Sequence, residues 1–234
     1  MRQAIPIIAA FTAVLAMALI LFNGLQIQTE FEIPVAIILI VLIGAFSIIG
    51  LFEKSIMKYA MYSAIIQFCY FMLDVSTAWL IDKSIWFAIL QLINFIIAGG
   101  LFAIVVSILY THVKKRHIRE YAGLYDKNQF LVLALCVSCL ALGGLPGFNI
   151  FVGEFLIYAA LFTIHPAIMV LAVFAGLLCF LFYFRICYVM FAGTVKTKIK
   201  LGLAFKVIMG ILTIAIVLLG LIPHILLKIL EWYV

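Results

Sequence analysis

One carboxylate is set apart by the residues that precede it. Glu154 follows Gly143-Gly144-Leu145-Pro146-Gly147 inside the apolar stretch LALGGLPGFNIFVGEFLIYAAL, residues 140–161. An ionised carboxylate among hydrocarbon is costly, so a glutamate in such a place suits a group that takes up and releases a proton or helps to hold a sodium ion. Proline removes an amide donor and turns Leu145 away from helical geometry, while the flanking glycines allow the turn. A helix broken there exposes main-chain amides and carbonyls that lipid cannot satisfy. Such breaks survive only inside protein or against a wet cavity, the setting in which transporters place ion sites. Glu154 lies about two turns into the second half-helix. The competing reading is a neutral, hydrogen-bonded packing residue.

Other polar residues in apolar surroundings have two readings each. Arg185, in FLFYFRICYVMF, is either a counter-charge on an ion route towards Glu154 or an anchor snorkelling to the headgroups. Lys58 begins a span, and there snorkelling is preferred. Gln91 and Asn94 share one helical face ahead of Gly99-Gly100, as water-holding stations or as interhelical hydrogen-bond glue. Cys136 and Cys139 also share a face, but a closed metal site wants about four ligands and no others lie nearby, so packing is preferred. His224 reads as a cap or interfacial residue near the outer end of the last span, and His165-Pro166 as a turn outside the membrane.

These residues sit in a chain of 234 residues that is 69% hydrophobic and 10% charged. Its mean hydropathy is +1.37. That leaves too little polar surface to cover a water-soluble globule, so the expected class is an all-α integral membrane protein in a lipid bilayer. No short apolar segment is followed by a signal-cleavage pattern, and the first span is expected to stay. Apolar runs long enough for the hydrocarbon core fall at 4–22, 34–52, 56–74, 84–111, 167–193 and 206–228, with the interrupted stretch 129–163 between the fourth and fifth.

Counted as one interrupted span, residues 129–163 give about seven transmembrane helices in a single membrane domain, the fifth broken near 143–148. Counted as two, they give eight. Charge favours seven. One side then receives Arg2, Lys54, Lys58, the basic loop 112–128 with Lys114, Lys115, Arg116, Arg119 and Lys127, and later Lys196, Lys198, Lys200 and Lys206. The other receives Lys83 and Lys228 with the loop acids Glu30, Glu32, Asp74, Asp82 and Glu231. By the positive-inside tendency the basic side, with the N-terminus, is cytoplasmic and the C-terminus is external. The net charge of +6 is thus a topology signal, and nothing in it asks for nucleic acid.

Three motifs carry a family resemblance. GLPGFNIFVGEFLI at 144–157 resembles the G-(L/M)-P-G-x-x-x-F-(V/I)-G-E-F segment of the antiporter-like membrane subunits shared by respiratory complex I, multisubunit cation/proton antiporters and membrane-bound energy-converting hydrogenases. EKSIMKYAMYSAIIQ at 53–67 is similar to that family's (Q/T)-x-D-(I/L)-K-R-x-x-A-Y-S-S-(V/I)-S, and NFIIAGGLF at 94–102 to its H-A-x-x-K-A-x-L-F helix. The first motif is specific and the other two are degraded. Order and separation agree over about residues 36–194.

The resemblance implies the second of two inverted five-helix repeats, in which buried acidic, lysine and histidine side chains conduct protons. Glu154 matches the buried carboxylate or lysine of its interrupted helix. Asn94 stands where histidine is usual, Ala98 where lysine is frequent, and Met57-Lys58 replaces Lys-Arg. Nothing upstream of Phe31 supplies a first repeat, so the chain is expected to border other membrane subunits of a multisubunit complex.

Two functions stay open. One is a proton- or Na+-translocating subunit of a redox-driven complex, with an energy-converting nickel–iron hydrogenase of the methanogen Eha type preferred on length and motif erosion. In it Glu154 is the station, and Arg185, Lys58, Asn94 and Gln91 are tuning groups. The other is a non-conducting structural subunit. No phosphate loop, nucleophile elbow, metal cluster or quinone pattern stands out, so no cofactor is expected in this chain and redox centres are expected in partners.

Overall fold

A computed structural model of the chain describes residues 32–80, 86–113, 117–193, 199 and 201–222. The expected first span 4–22, Lys83, Lys114, Lys115, Arg116, Lys196, Lys198, Lys200, His224 and Lys228 lie outside the described residues. Among the described residues seven α-helices follow one another: α1 Glu32–Phe52, α2 Ile56–Leu80, α3 Trp86–Val113, α4 Gln129–Leu142, α5 Asn149–Ile164, α6 Pro166–Phe191 and α7 Leu203–Leu221. Among the described residues five of them, α1, α2, α3, α6 and α7, are long and apolar enough to cross a membrane. The fold is that of an all-α membrane protein.

α4 has 14 residues and α5 has 16. At about 1.5 Å per residue neither spans a hydrocarbon core of roughly 30 Å, whereas end to end they do. They make little contact with each other and are held instead by α3, α6 and α7.

The ends of the helices decide the topology. Ile118 N–H donates to Lys54 O at 2.8 Å and Gly123 N–H to Val189 O at 3.3 Å. Ile199 N–H donates to Asn128 Oδ1 at 2.7 Å. The α1–α2 turn, the segment before α4 and the chain after α6 therefore meet at one end of the bundle. That requires α4 and α5 together to make one passage, as the seven-span reading expects. The basic segment at that end is more than a solvated loop. Ile118, Tyr121 and Leu124 recur every third residue, the period of a 3-10 helix, and two such turns, Ile118–Tyr121 and Leu124–Asp126, bury all three.

α2 differs from expectation at its far end. It continues to Leu80, so Asp74 is a buried helical residue and not a loop acid. The cluster Asp74-Ser76-Thr77 reads as a span end because its polarity interrupts the apolar run. In the folded chain Ser76 Oγ donates to Leu73 O at 3.3 Å and Thr77 Oγ1 to the same oxygen at 2.9 Å, so both hydroxyls are satisfied within the helix. Exposed Val170, Phe174, Leu177 and Leu181 on α6 and Ile211, Ile214 and Leu218 on α7 give these helices apolar outer faces suited to lipid.

Candidate functional site: the broken helix around Glu154

The break is a sequence of standard turns. Gly144 takes φ +69°, its N–H bonds Ala141 O at 3.0 Å, and Leu145 N–H bonds Leu140 O at 3.0 Å. This paired pattern, a left-handed glycine followed by a residue reaching back five positions, ends α4 as a Schellman motif, with proline just after it. A second turn follows, closed by Phe148 N–H to Leu145 O at 3.2 Å, with Pro146 and then Gly147 at φ +95° in its centre. That is the residue choice of a type II turn. A Cβ built on Gly220 of α7 would overlap the main chain of Gly147 and Phe148, so α7 covers the break from one side at backbone distance.

Glu154 points back into this gap. A Cβ on Gly144 would overlap its carboxylate, which therefore lies directly against the broken main chain. The side chain is 2% exposed; Oε2 accepts a long 3.5 Å hydrogen bond from Tyr158 Oη, and Oε1 has no partner among the described residues. Beside it opens a cavity of about 250 Å³, lined by Gly143, Gly144, Pro146, Tyr158, Gly176 and Phe180 among others. It is large enough for several waters.

Gln91 and Asn94 reach the same place from α3. A Cβ on Gly153 would overlap the Gln91 amide, which is buried with both Nε2 and Oε1 unpartnered among the described residues. Asn94 Nδ2 donates to Asn149 O at 3.0 Å, and Asn149 Nδ2 donates in return to Asn94 O at 3.1 Å. This reciprocal clasp fixes the first residue of α5. On α2, Gln67 Nε2 donates to Leu142 O at 2.9 Å, satisfying one of the carbonyls that the break leaves free.

Arg185 and Lys58 are placed elsewhere. Arg185 Nη1 donates to Glu53 O at 2.6 Å and reaches Gly50 O at 3.5 Å, so its charge sits on the C-terminal carbonyls of α1 and not beside Glu154. Lys58 is exposed in the first turn of α2, at the same end. Glu53 Oε1 accepts from Lys54 N and Ser55 N, each at 2.8 Å. The Ser55 amide is the largest influence on this carboxyl and, with the Lys54 amide and the charges of Lys58 and Arg185, holds it below its ordinary range against an opposing effect of burial. His165 Nδ1 accepts from Ala167 N at 3.2 Å and caps α6.

Sequence reasoning missed Asn149 and Tyr158 at the site and, on α2, the buried Tyr70 and Asp74. Asn149 and Tyr158 carried a usable signal, being the first residue after the break and the residue one turn beyond Glu154. Tyr70 and Asp74 come from a distant helix.

Comparison with known proteins agrees with this geometry. NADH-quinone oxidoreductase subunit N of Bacillus anthracis is 28% identical over 232 residues, covering 93% of this chain and 45% of the relative. The chain thus spans about half the length of the curated relatives it matches. Its fold is similar to a chain of the Mrp complex from Dietzia sp. DQ12-45-1b, with TM-score 0.76, 17% identity and coverage of 93% and 49%. It is also similar to one in respiratory complex I from Thermus thermophilus with bound aureothin, with TM-score 0.69, 22% identity and coverage of 83% and 44%. Residues 4–179 match the family described as NADH:quinone oxidoreductase/Mrp antiporter, TM. With its broken helix, its buried glutamate and three quarters of its length inside that match, this chain belongs to the NADH:quinone oxidoreductase/Mrp antiporter transmembrane family.

Proposed function

We propose that the chain is a proton- (or Na+-) translocating subunit of a redox-driven membrane complex, with Glu154 as its protonatable station and Gln91 and Asn94 as the polar groups that shape it. The observation that carries this reading is the Glu154 carboxylate, buried against the broken main chain, with Oε1 unpartnered among the described residues and a cavity of about 250 Å³ beside it. A packing residue would have its oxygens satisfied. Arg185 and Lys58 stand outside the proposal because both belong to the end of the bundle that holds the α1–α2 turn.

In the finer assignment the complex is an energy-converting hydrogenase, its redox groups are held by partner subunits, and other membrane subunits cover the apolar faces. The clustering of basic residues at one end of the bundle supports a cytoplasmic position for that end. A second reading, a non-conducting structural subunit, draws on the Asn94–Asn149 clasp. Where the resemblance leads one to expect histidine, an amide spends its hydrogen bonds on the main chain.

The test is Glu154→Gln in membranes containing the assembled complex. The redox reaction in detergent should survive while its coupling to the ion gradient falls. Full gradient-coupled activity in Glu154→Gln would overturn the station reading and leave the structural one.

A further inference from the structure

We infer that Asp74 is a second proton-carrying group, placed on α2 to exchange a proton with Glu154 and to lead it towards the C-terminal end of that helix. The inference rests on the reading of Glu154 as a station. Its basis is a buried polar seam along α2. Ser63, Gln67, Tyr70, Asp74 and Thr77 recur at spacings of four, three, four and three residues, so they share one face of the helix, and none is more than 3% exposed.

The two ends of the seam differ. Ser63 Oγ is 2.6 Å from Tyr183 Oη and Gln67 Nε2 bonds Leu142 O, so the seam's first part is hydrogen-bonded and pinned to the α4 end of the break. Further along, Tyr70 Oη and Asp74 Oδ2 are buried without partners among the described residues. The hydroxyls of Tyr70 and Tyr158 converge on Gly176, where a Cβ would come within 3.4 Å of the Tyr70 oxygen and would overlap that of Tyr158. Hydroxyls therefore extend from Glu154 to the α2 face that carries Asp74 one turn later.

The two buried carboxyls thus flank one run of buried hydroxyls, Glu154 beside Tyr158 and Asp74 one turn beyond Tyr70. Two buried carboxyls linked in this way favour one shared proton over two negative charges. Transfer then breaks one O–H bond and forms another. A neutral Glu154 gives its proton up as a neutral Asp74 appears, the pair keeps its net charge, and no other reactant is consumed.

The experiment compares Asp74→Asn, Asp74→Glu and Glu154→Gln in membranes containing the assembled complex, reading gradient-coupled translocation and reaction-induced infrared difference spectra in the protonated-carboxyl region. Asp74→Asn should lower coupled translocation by roughly two orders of magnitude, the scale on which a positioned proton-transfer group acts. Asp74→Glu should restore most of it and shift one carboxyl band. Loss in Glu154→Gln with wild-type translocation in Asp74→Asn would overturn the role of Asp74 and leave Glu154 standing, whereas a silent Glu154→Gln would remove the station itself. Should Asp74→Asn fail to assemble, the band shift decides: an unchanged carboxyl spectrum in assembled Asp74→Glu overturns the proposal.

Discussion

Two regions of one bundle, the α1–α2 end and the break within the α4–α5 passage, each hold a charged residue that the sequence places inside apolar helix, and they treat it in opposite ways. At the α1–α2 turn, Arg185 donates to Glu53 O, Glu53 accepts two main-chain amides, and Tyr59 both stacks on Phe182 at 4.0 Å and donates to Phe182 O. At the break, Glu154 Oε1 and both amide atoms of Gln91 are buried without partners among the described residues. Leaving such atoms unmatched costs about 1–3 kcal/mol each, so the first arrangement closes a structure and the second is the one that the proposed ion station explains. Charge in a membrane helix is common to both regions; what separates them is whether the buried polar atoms find partners among the described residues.

The largest expected effect breaks the second region while sparing the first. Gly144→Ala must place a side chain at φ +69° and on top of the Glu154 carboxylate, whereas Gly147→Ala meets only the strained backbone at φ +95°, with nothing within 4 Å. The left-handed conformation alone costs roughly 1–2 kcal/mol, so Gly147→Ala should assemble and work at reduced stability. Gly144→Ala should lose coupled translocation as well, which membrane assays of the two variants side by side would reveal.

Arg185→Met tests the closed end. It removes charge-assisted hydrogen bonds to the last carbonyls of α1, worth about 1.5–3 kcal/mol, and should lower the thermal stability of the chain in detergent without changing coupling per assembled complex. A smaller effect is expected at the clasp. Asn94→Ala, Asn149→Ala and the double variant should give a coupling energy on the order of 0.6–1.7 kcal/mol in a reversible unfolding titration, the range of interhelical hydrogen bonds in membranes.

The smallest effect is a pH dependence at Glu53. Its carboxyl is held below its ordinary value of 4.5 by the Ser55 amide first, with help from Lys54, Lys58 and Arg185. A group depressed on folding contributes stability that is complete above the unfolded value and is lost as pH falls through the lower folded one. Thermal melts should therefore weaken from about pH 4.5 downwards, and Glu53→Gln should flatten that slope.

The parts of the fold legible in the sequence are those whose signal is local. The break at 143–148 violates the helical pattern in place, with Gly144, Pro146 and Gly147 each where a turn needs them, and basic loops separated by whole spans report which ends meet. Arg185 was legible as a charge, yet its role depends on α1 carbonyls that folding brings from more than 130 residues away. Asp74 was read as a loop acid because an average over a window takes a polar cluster for the end of a span. It is interior because α2 runs on to Leu80, with the hydroxyls of Ser76 and Thr77 turned back on their own helix and other helices packed over it. Asn149 shows the same limit at short range: its position after the break was visible, its partner Asn94 was not.

The contrast between the α1–α2 end and the break is tested most directly by measuring ion translocation per assembled complex in Glu154→Gln and Arg185→Met under one driving reaction. The account predicts that Glu154→Gln assembles normally and loses coupling, while Arg185→Met assembles less stably and keeps it. Full coupling in Glu154→Gln together with uncoupling in Arg185→Met would contradict it, because the satisfied end of the bundle would then be the one that works on the ion.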